Sequence, residues 1–405
     1  MRISKSSNLT GPVRILAMGL LGALAVAGCD GRGKSLDLSA SGTGLFSLSD
    51  VAQMLSDLPL QHEHLNEVYD AVNASSGHGY DEEYMLNDLF TAPGAGVGDA
   101  GKPSKAGGYR TPLRDLFADY LAQKYGTKAG AADVERYINA LSASDMQIYW
   151  PYSENWDGKT FPIVTFDPGY GAESNYGYAV RIDADGAHVV DSVLVNEQVA
   201  QERPVWVINR NDDAGFTPLE LFVQEFPADG TKAGKKDDGK TEGKEYIFSI
   251  QSFKTLRNYD SWFGGASEFF IKTGAVDGFK ATKEEDLRNY SPSVTDLMLV
   301  VRRHQLGKKI PFDAVLLTNF TDQMEKIAFM VVEDDGGTTT SWKCSAVVKY
   351  NSKSYGFELD IPYKDKDDIV WRGQLTRNFF QEVLDAGGGN LTGRFGDVEI
   401  TFGLQ

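Results

Sequence analysis

Two short stretches place acids where the ends of strands would gather them. In residues 328–348, AFMVVEDDGGTTTSWKCSAVV, an apolar run enters Glu333, Asp334 and Asp335 and then two glycines. In residues 258–274, NYDSWFGGASEFFIKTG, Asp260 precedes Gly264, Gly265 and Glu268, and Phe269 opens another apolar run. Calcium takes about six to eight oxygens, more than neighbouring residues of one strand can aim at one point, because alternate side chains diverge. Acids from both stretches must meet. Asp260, Glu268, Glu333 and Asp335 are the set that would hold such a cation. The same residues also read as a solvated acidic turn between two strands.

A second candidate is residues 149–161, YWPYSENWDGKTF, which mixes aromatics with acids. Trp150, Tyr152 and Trp156 would serve as ligand-binding platforms for a carbohydrate. Glu154 and Asp157, with Asp167 and Glu173 nearby, supply carboxylates from which a glycosidase-type pair could be drawn. The histidines give less. His62 and His64 lie two apart beside Glu63 and Glu67, not at the four-residue spacing that puts two imidazoles on one helix face, so they read as a solvated helix start. His78 falls in a glycine-flanked turn, and His188 and His304 are expected in strands without partners. No nucleophile elbow, Walker loop or strand-linked dinucleotide fingerprint occurs. Cys344 lies in an expected strand and reads as an inert thiol.

The amino terminus has a basic start (Arg2, Lys5, Arg14), an apolar stretch over residues 15–28, and Val26-Ala27-Gly28-Cys29. This stretch is short for a membrane span. It resembles the lipobox of bacterial lipoproteins. That resemblance implies cleavage before Cys29, lipidation of Cys29, and a place in the cell envelope on its periplasmic or extracellular face. Partners would then be the membrane, through the anchor, and a carbohydrate or protein ligand. The whole chain resembles the lipoproteins abundant in Gram-negative envelopes, which implies an address and no activity. With Cys29 lipidated, Cys344 has no intrachain partner.

The two acidic stretches also resemble the C2 family. GASEFFIK is similar to the entry of an early C2 strand and VVEDDGG to the exit of a later one. The resemblance implies an eight-stranded sandwich whose edge loops bind calcium, with Asp260 and Glu268 serving one loop and Glu333 and Asp335 the other. Glutamate stands at 268 and 333 where the family has aspartate, and the family's proline is absent.

The elements that must position these groups follow from periodicity. Residues 1–28 read as signal peptide and 29–46 as a flexible Gly/Ser-rich tether. Residues 47–145 show helical spacing, as in Val51, Met54, Leu55 and Leu58, and are expected to form a helical domain. From residue 146 the period changes to two, giving a central β region over 146–227. Residues 228–245, without an apolar face, read as a linker or long loop. Residues 246–405 alternate cleanly, as in Tyr355, Phe357, Leu359 and Ile361, and predict an antiparallel β-sandwich. The fold class is therefore α+β and multidomain. A net charge of −17 over 405 residues excludes a nucleic-acid surface and suits divalent cations. The chemistry expected is that of a binding or scaffold lipoprotein with calcium at one edge. The alternative is an envelope hydrolase acting on a polysaccharide or peptide through a carboxylate pair in the central region.

Overall fold

The computed structural model describes residues 45–90, 112–125, 131–182, 188–211 and 244–405. The stretch read as a signal peptide, Cys29, nearly all of the stretch read as a tether and almost all of 228–245 lie outside them. Helix α1 (Leu48–Asp57) starts on a capping box. Ser47 accepts from the Asp50 amide, and the Asp50 carboxylate accepts from Ser47 N at 2.9 Å. Its apolar stripe buries Val51, Met54 and Leu55. Helix α2 (His62–Gly77) follows. Gln61, His62 and Glu63 at its start are exposed, whereas His64 is buried and its Nδ1 accepts from Gln61 N at 2.9 Å, capping the helix. Glu67 is also buried. It accepts from Tyr84 Oη at 3.0 Å and from Leu113 N at 2.8 Å, tying α2 to a strand and to a later helix.

That strand, β1 (Glu83–Met85), interrupts the stretch expected to be helical. Helices α3 (Leu86–Phe90), α4 (Pro112–Tyr125) and α5 (Ala131–Ser142) pack on one another. β1 joins a six-stranded sheet made with β2 (Met146–Tyr149), β3 (Ile163–Phe166), β4 (Ser174–Ile182), β5 (His188–Asn196) and β6 (Val205–Arg210). The order is β1-β2-β6-β3-β4-β5, and β3 and β6 run parallel. Short α6 (Glu197–Glu202) lies on the crossover that a parallel pair requires. Helix α1 packs across β3, β6 and β4.

The carboxyl-terminal half is two facing sheets. One runs β10 (Ile310–Phe320), β7 (Tyr246–Thr255), β16 (Val398–Leu404), β15 (Gly389–Phe395). In the other, β11 (Met324–Glu333) lies between β8 (Ser267–Ala275) and β14 (Asp368–Thr376), and β9 (Ser293–Val301) flanks β8. Between them sits an aromatic core. Phe248, Phe329, Phe380, Phe395 and Phe402 meet ring to ring at 5.1–6.1 Å. Each such ring removed from water contributes about 1.5–3 kcal/mol. Short α7 (Gln381–Asp385) closes one end of this core.

A third layer covers the outer face. The hairpin of β12 (Thr339–Tyr350) and β13 (Lys353–Lys364) pairs with β11 only near Met324 and Lys326, then folds over β8. Leu359 and Ile361 thus meet Phe270, Met298 and Met330. Gly274 permits this approach, since a Cβ there would lie 2.2 Å from Leu359 Cδ1. Cys344 lies half-buried in this layer. Its Sγ contacts Leu359 O at 3.6 Å, and burial pushes its thiol up to about 11, which leaves it unreactive near neutral pH. The fold is thus α+β with several antiparallel sheets. All described residues fall in one compact unit, Ala40–Gln405.

Candidate functional site

The loop from β7 to β8 is clamped at both ends. Trp262 and Phe263 insert into the core beneath the central sheet, and Trp262 Nε1 donates to Glu173 O at 3.1 Å. Asn209 Nδ2 donates to Phe263 O at 3.1 Å. Ala266 N donates to Asp81 Oδ2 at 2.9 Å. Gly265 at φ +144° passes so close that a Cβ would stand 3.0 Å from that carboxylate. Arg303 ties the rest. Its guanidinium donates to Asp260 O at 2.6 Å, Gly265 O at 3.2 Å and Glu197 Oε1 at 3.1 Å.

This clamp carries Asp260 to the strand ends. Glu268 is the second residue of β8 and Glu333 ends β11, and Asp334 N extends the ladder by donating to Glu268 O at 3.0 Å. One carboxylate oxygen each from Asp260, Glu268 and Glu333 lie within 4.8 Å of one another. Three of the four acids singled out in the sequence therefore converge. The fourth, Asp335, is exposed and outside this group, at the start of the glycine turn. Asp334 is buried but turned away, held by Lys364 Nζ at 2.8 Å.

Glu333 is the unusual member. It is 0 % exposed, and neither carboxylate oxygen accepts a hydrogen bond from a donor group. Burial raises its pKa, and the neighbouring Asp260 raises it further. Burial likewise raises Asp260. Two acids at such close range cannot both ionise cheaply without a cation. Oxygen-only donors of this kind fit a hard divalent ion, and Asp260, Glu268 and Glu333 are the residues that would hold it.

The aromatic stretch builds a second feature. Tyr152 takes a left-handed conformation (φ 60°) ahead of a 3₁₀ turn at Ser153–Asn155, which swings Trp156 back against Trp150 at 5.2 Å between ring centroids. A cleft of about 400 Å³ opens here, lined by Trp150, Tyr152 and Trp156 with Asn155, Gln201 and Arg203. Trp150 is fully buried and forms its floor, with an indole N–H that meets no acceptor. Tyr152 and Trp156 are half-exposed walls. Tyr152 Oη donates to Glu197 Oε1 at 2.8 Å. Asp157 is absorbed by its own loop. Its carboxylate accepts from Lys159 N, Thr160 N and Thr160 Oγ1 at 2.7–2.8 Å, which lowers its pKa to about 2.

A third group was not legible in the sequence. β9 ends at Val301, and Arg303–Gln305 is a 3₁₀ turn, so His304 is not in a strand and does have neighbours. Its Nδ1 lies 3.9 Å from Glu82 Oε1 and 3.5 Å from Glu154 Oε1. Glu82 is 3 % exposed, and its second oxygen accepts nothing. Burial raises the Glu82 pKa well above the usual carboxylate range, and Asp81 and Glu154 add to it. Burial lowers that of His304, while Glu154 opposes the shift. Glu82, Glu154 and His304 are 72 and 150 residues apart in the chain, so no spacing rule could connect them.

No helix among the described residues is long and apolar enough to cross a membrane. No protein-family model matches the chain, and no curated protein matches it.

Proposed function

We propose that this is a lipid-anchored protein of the cell envelope that binds a polar, carbohydrate-type ligand in the cleft of Trp150, Tyr152 and Trp156, without catalysing a reaction. The cleft carries this reading. Its volume of about 400 Å³ suits a small ligand, and its half-exposed rings stand beside polar groups. Apolar ring faces with a few convergent polar side chains are what sugar recognition requires. The lipobox at Val26-Ala27-Gly28-Cys29 supports the anchor. The carboxyl-terminal sandwich supports a C2-like role for its edge, with Asp260, Glu268 and Glu333 holding calcium as a structural cation.

The hydrolase alternative is less well supported. Asp157 is committed to its own loop, and Glu154 faces Glu82 and His304, so they do not stand as a free acid and base across a substrate. The test is tryptophan fluorescence titrated with a panel of envelope oligosaccharides. Binding should quench or shift the emission and be lost in Trp156→Ala. A saturable response that persists unchanged in Trp156→Ala and Tyr152→Ala would place the ligand elsewhere.

A further inference from the structure

The Glu82, Glu154 and His304 group lies outside the proposed ligand cleft and outside the acidic edge. Its distances are informative. At 3.5 and 3.9 Å the imidazole Nδ1 is too far from either carboxylate for a sound hydrogen bond. Both separations suit ligands of one ion. Donor atoms about 2.1 Å from a shared metal at tetrahedral angles lie about 3.4 Å apart. Two buried atoms of the group lack partners. His304 Nδ1 and Glu82 Oε2 are each buried with no hydrogen bond, although Glu82 is 3 % exposed and polar groups so enclosed are normally satisfied. Ser153 Oγ reaches the other Glu82 oxygen at 3.3 Å, an arrangement that orients a ligand carboxylate.

We propose that Glu82, Glu154 and His304 bind one divalent transition-metal ion of the zinc class. One imidazole with two carboxylates is a mixed nitrogen and oxygen set, which favours zinc, iron or manganese over calcium. Glu82 is enclosed, while His304 and Glu154 have side chains 30 % and 40 % exposed, so the ion's remaining position faces solvent. Three protein ligands and an open position distinguish an exchange-competent site from a closed structural one. The surrounding charge permits it. Arg302 and Lys308 act on His304, and Arg302 also acts on Glu82, but Asp81 adds a further acid beside Glu82. Arg302 is itself engaged with Ser76 O at 2.7 Å.

The experiment uses the full chain without an affinity tag, first stripped with EDTA. Co²⁺ serves as the optical probe and Zn²⁺ as the competitor, followed by visible absorption and calorimetry. One equivalent of Co²⁺ should give the d–d bands of low-coordinate nitrogen and oxygen ligation, and Zn²⁺ should bleach them. Affinity should fall at least about 100-fold in His304→Ala and in Glu154→Gln. Glu154 is the more exposed ligand, so Glu154→Gln keeps the test alive if the histidine variant does not fold. His78→Ala should bind as the wild type does, and Glu333→Gln, which disables the acidic edge as a competing cation site, should leave the cobalt bands in place. Zinc binding that survives both His304→Ala and Glu154→Gln, or that disappears with Glu333→Gln, would overturn the assignment, as would a wild type that takes up no Co²⁺ or Zn²⁺ at millimolar concentration.

Discussion

Replacing Glu333 by glutamine should separate calcium binding from folding at the sandwich edge. The side chain is completely buried, without a hydrogen-bond donor on either oxygen, and shares its surroundings with Asp260 and Glu268. Without a cation its charge is a liability, because burial and Asp260 both oppose ionisation. Glutamine keeps the shape, removes the charge and can donate to Asp260. Glu333→Gln should therefore melt at or above the wild-type temperature in EGTA. Calcium reverses the order. A site of this kind should bind with a dissociation constant on the order of 0.1 mM, so 10 mM calcium would stabilise the wild type by about 2.7 kcal/mol. Scaled by an unfolding entropy of roughly 2 cal/mol/K per residue, that is a rise of about 4 °C for a unit of this size. Magnesium should give less, since it keeps its waters and demands a tighter octahedron. Glu333→Gln should lose most of the rise. Asp335→Asn should lose only a small part, because Asp335 is exposed and outside the converging trio. The assay is scanning calorimetry in EGTA, magnesium and calcium. Coincident wild-type curves in all three, or a Glu333→Gln variant that melts lower in EGTA yet gains as much from calcium, would refute the reasoning.

Three further outcomes are expected. Burial raises the pKa of Glu67 to about 7 from an ordinary 4.5, so between those values the folded state binds more protons than the unfolded one. Stability should therefore fall as pH rises through that window, by on the order of 3 kcal/mol, and Glu67→Gln should flatten this part of the profile in urea melts. Gly274→Val should cost about 2–3 kcal/mol by pushing Leu359 and the β12–β13 layer off the sheet, read as a lower urea midpoint with greater exposure of Cys344 to thiol reagents. Cys29→Ala should abolish incorporation of a fatty-acid label and leave unprocessed or soluble protein; equal labelling of variant and wild type would count against the anchor.

Much of the architecture could be read locally. Strand alternation in residues 355–361 and 398–402 reflects one face turned to a core, and Phe357, Leu359, Ile361, Val398, Ile400 and Phe402 do face apolar neighbours. The 3.6-residue spacing of Val51, Met54, Leu55 and Leu58 likewise marks a face that is buried. Chemical type and end-of-strand position were enough to single out Asp260, Glu268 and Glu333, because strands that pair side by side bring their ends to one edge. What the chain order could not specify is which side chain turns inward once a strand has ended. Asp334 finds Lys364 on β13 and leaves the group, Asp335 swings into solvent, and Glu333 stays sealed. β1 was hidden among helices because three residues are too few to show a period, and they form a strand only by pairing with β2. The meeting of Glu82, Glu154 and His304 belongs wholly to tertiary structure. It depends on the loop before β1, the turn after β2 and the turn after β9 arriving at one place, and that is fixed by sheet packing and the Arg303 clamp rather than by any local spacing.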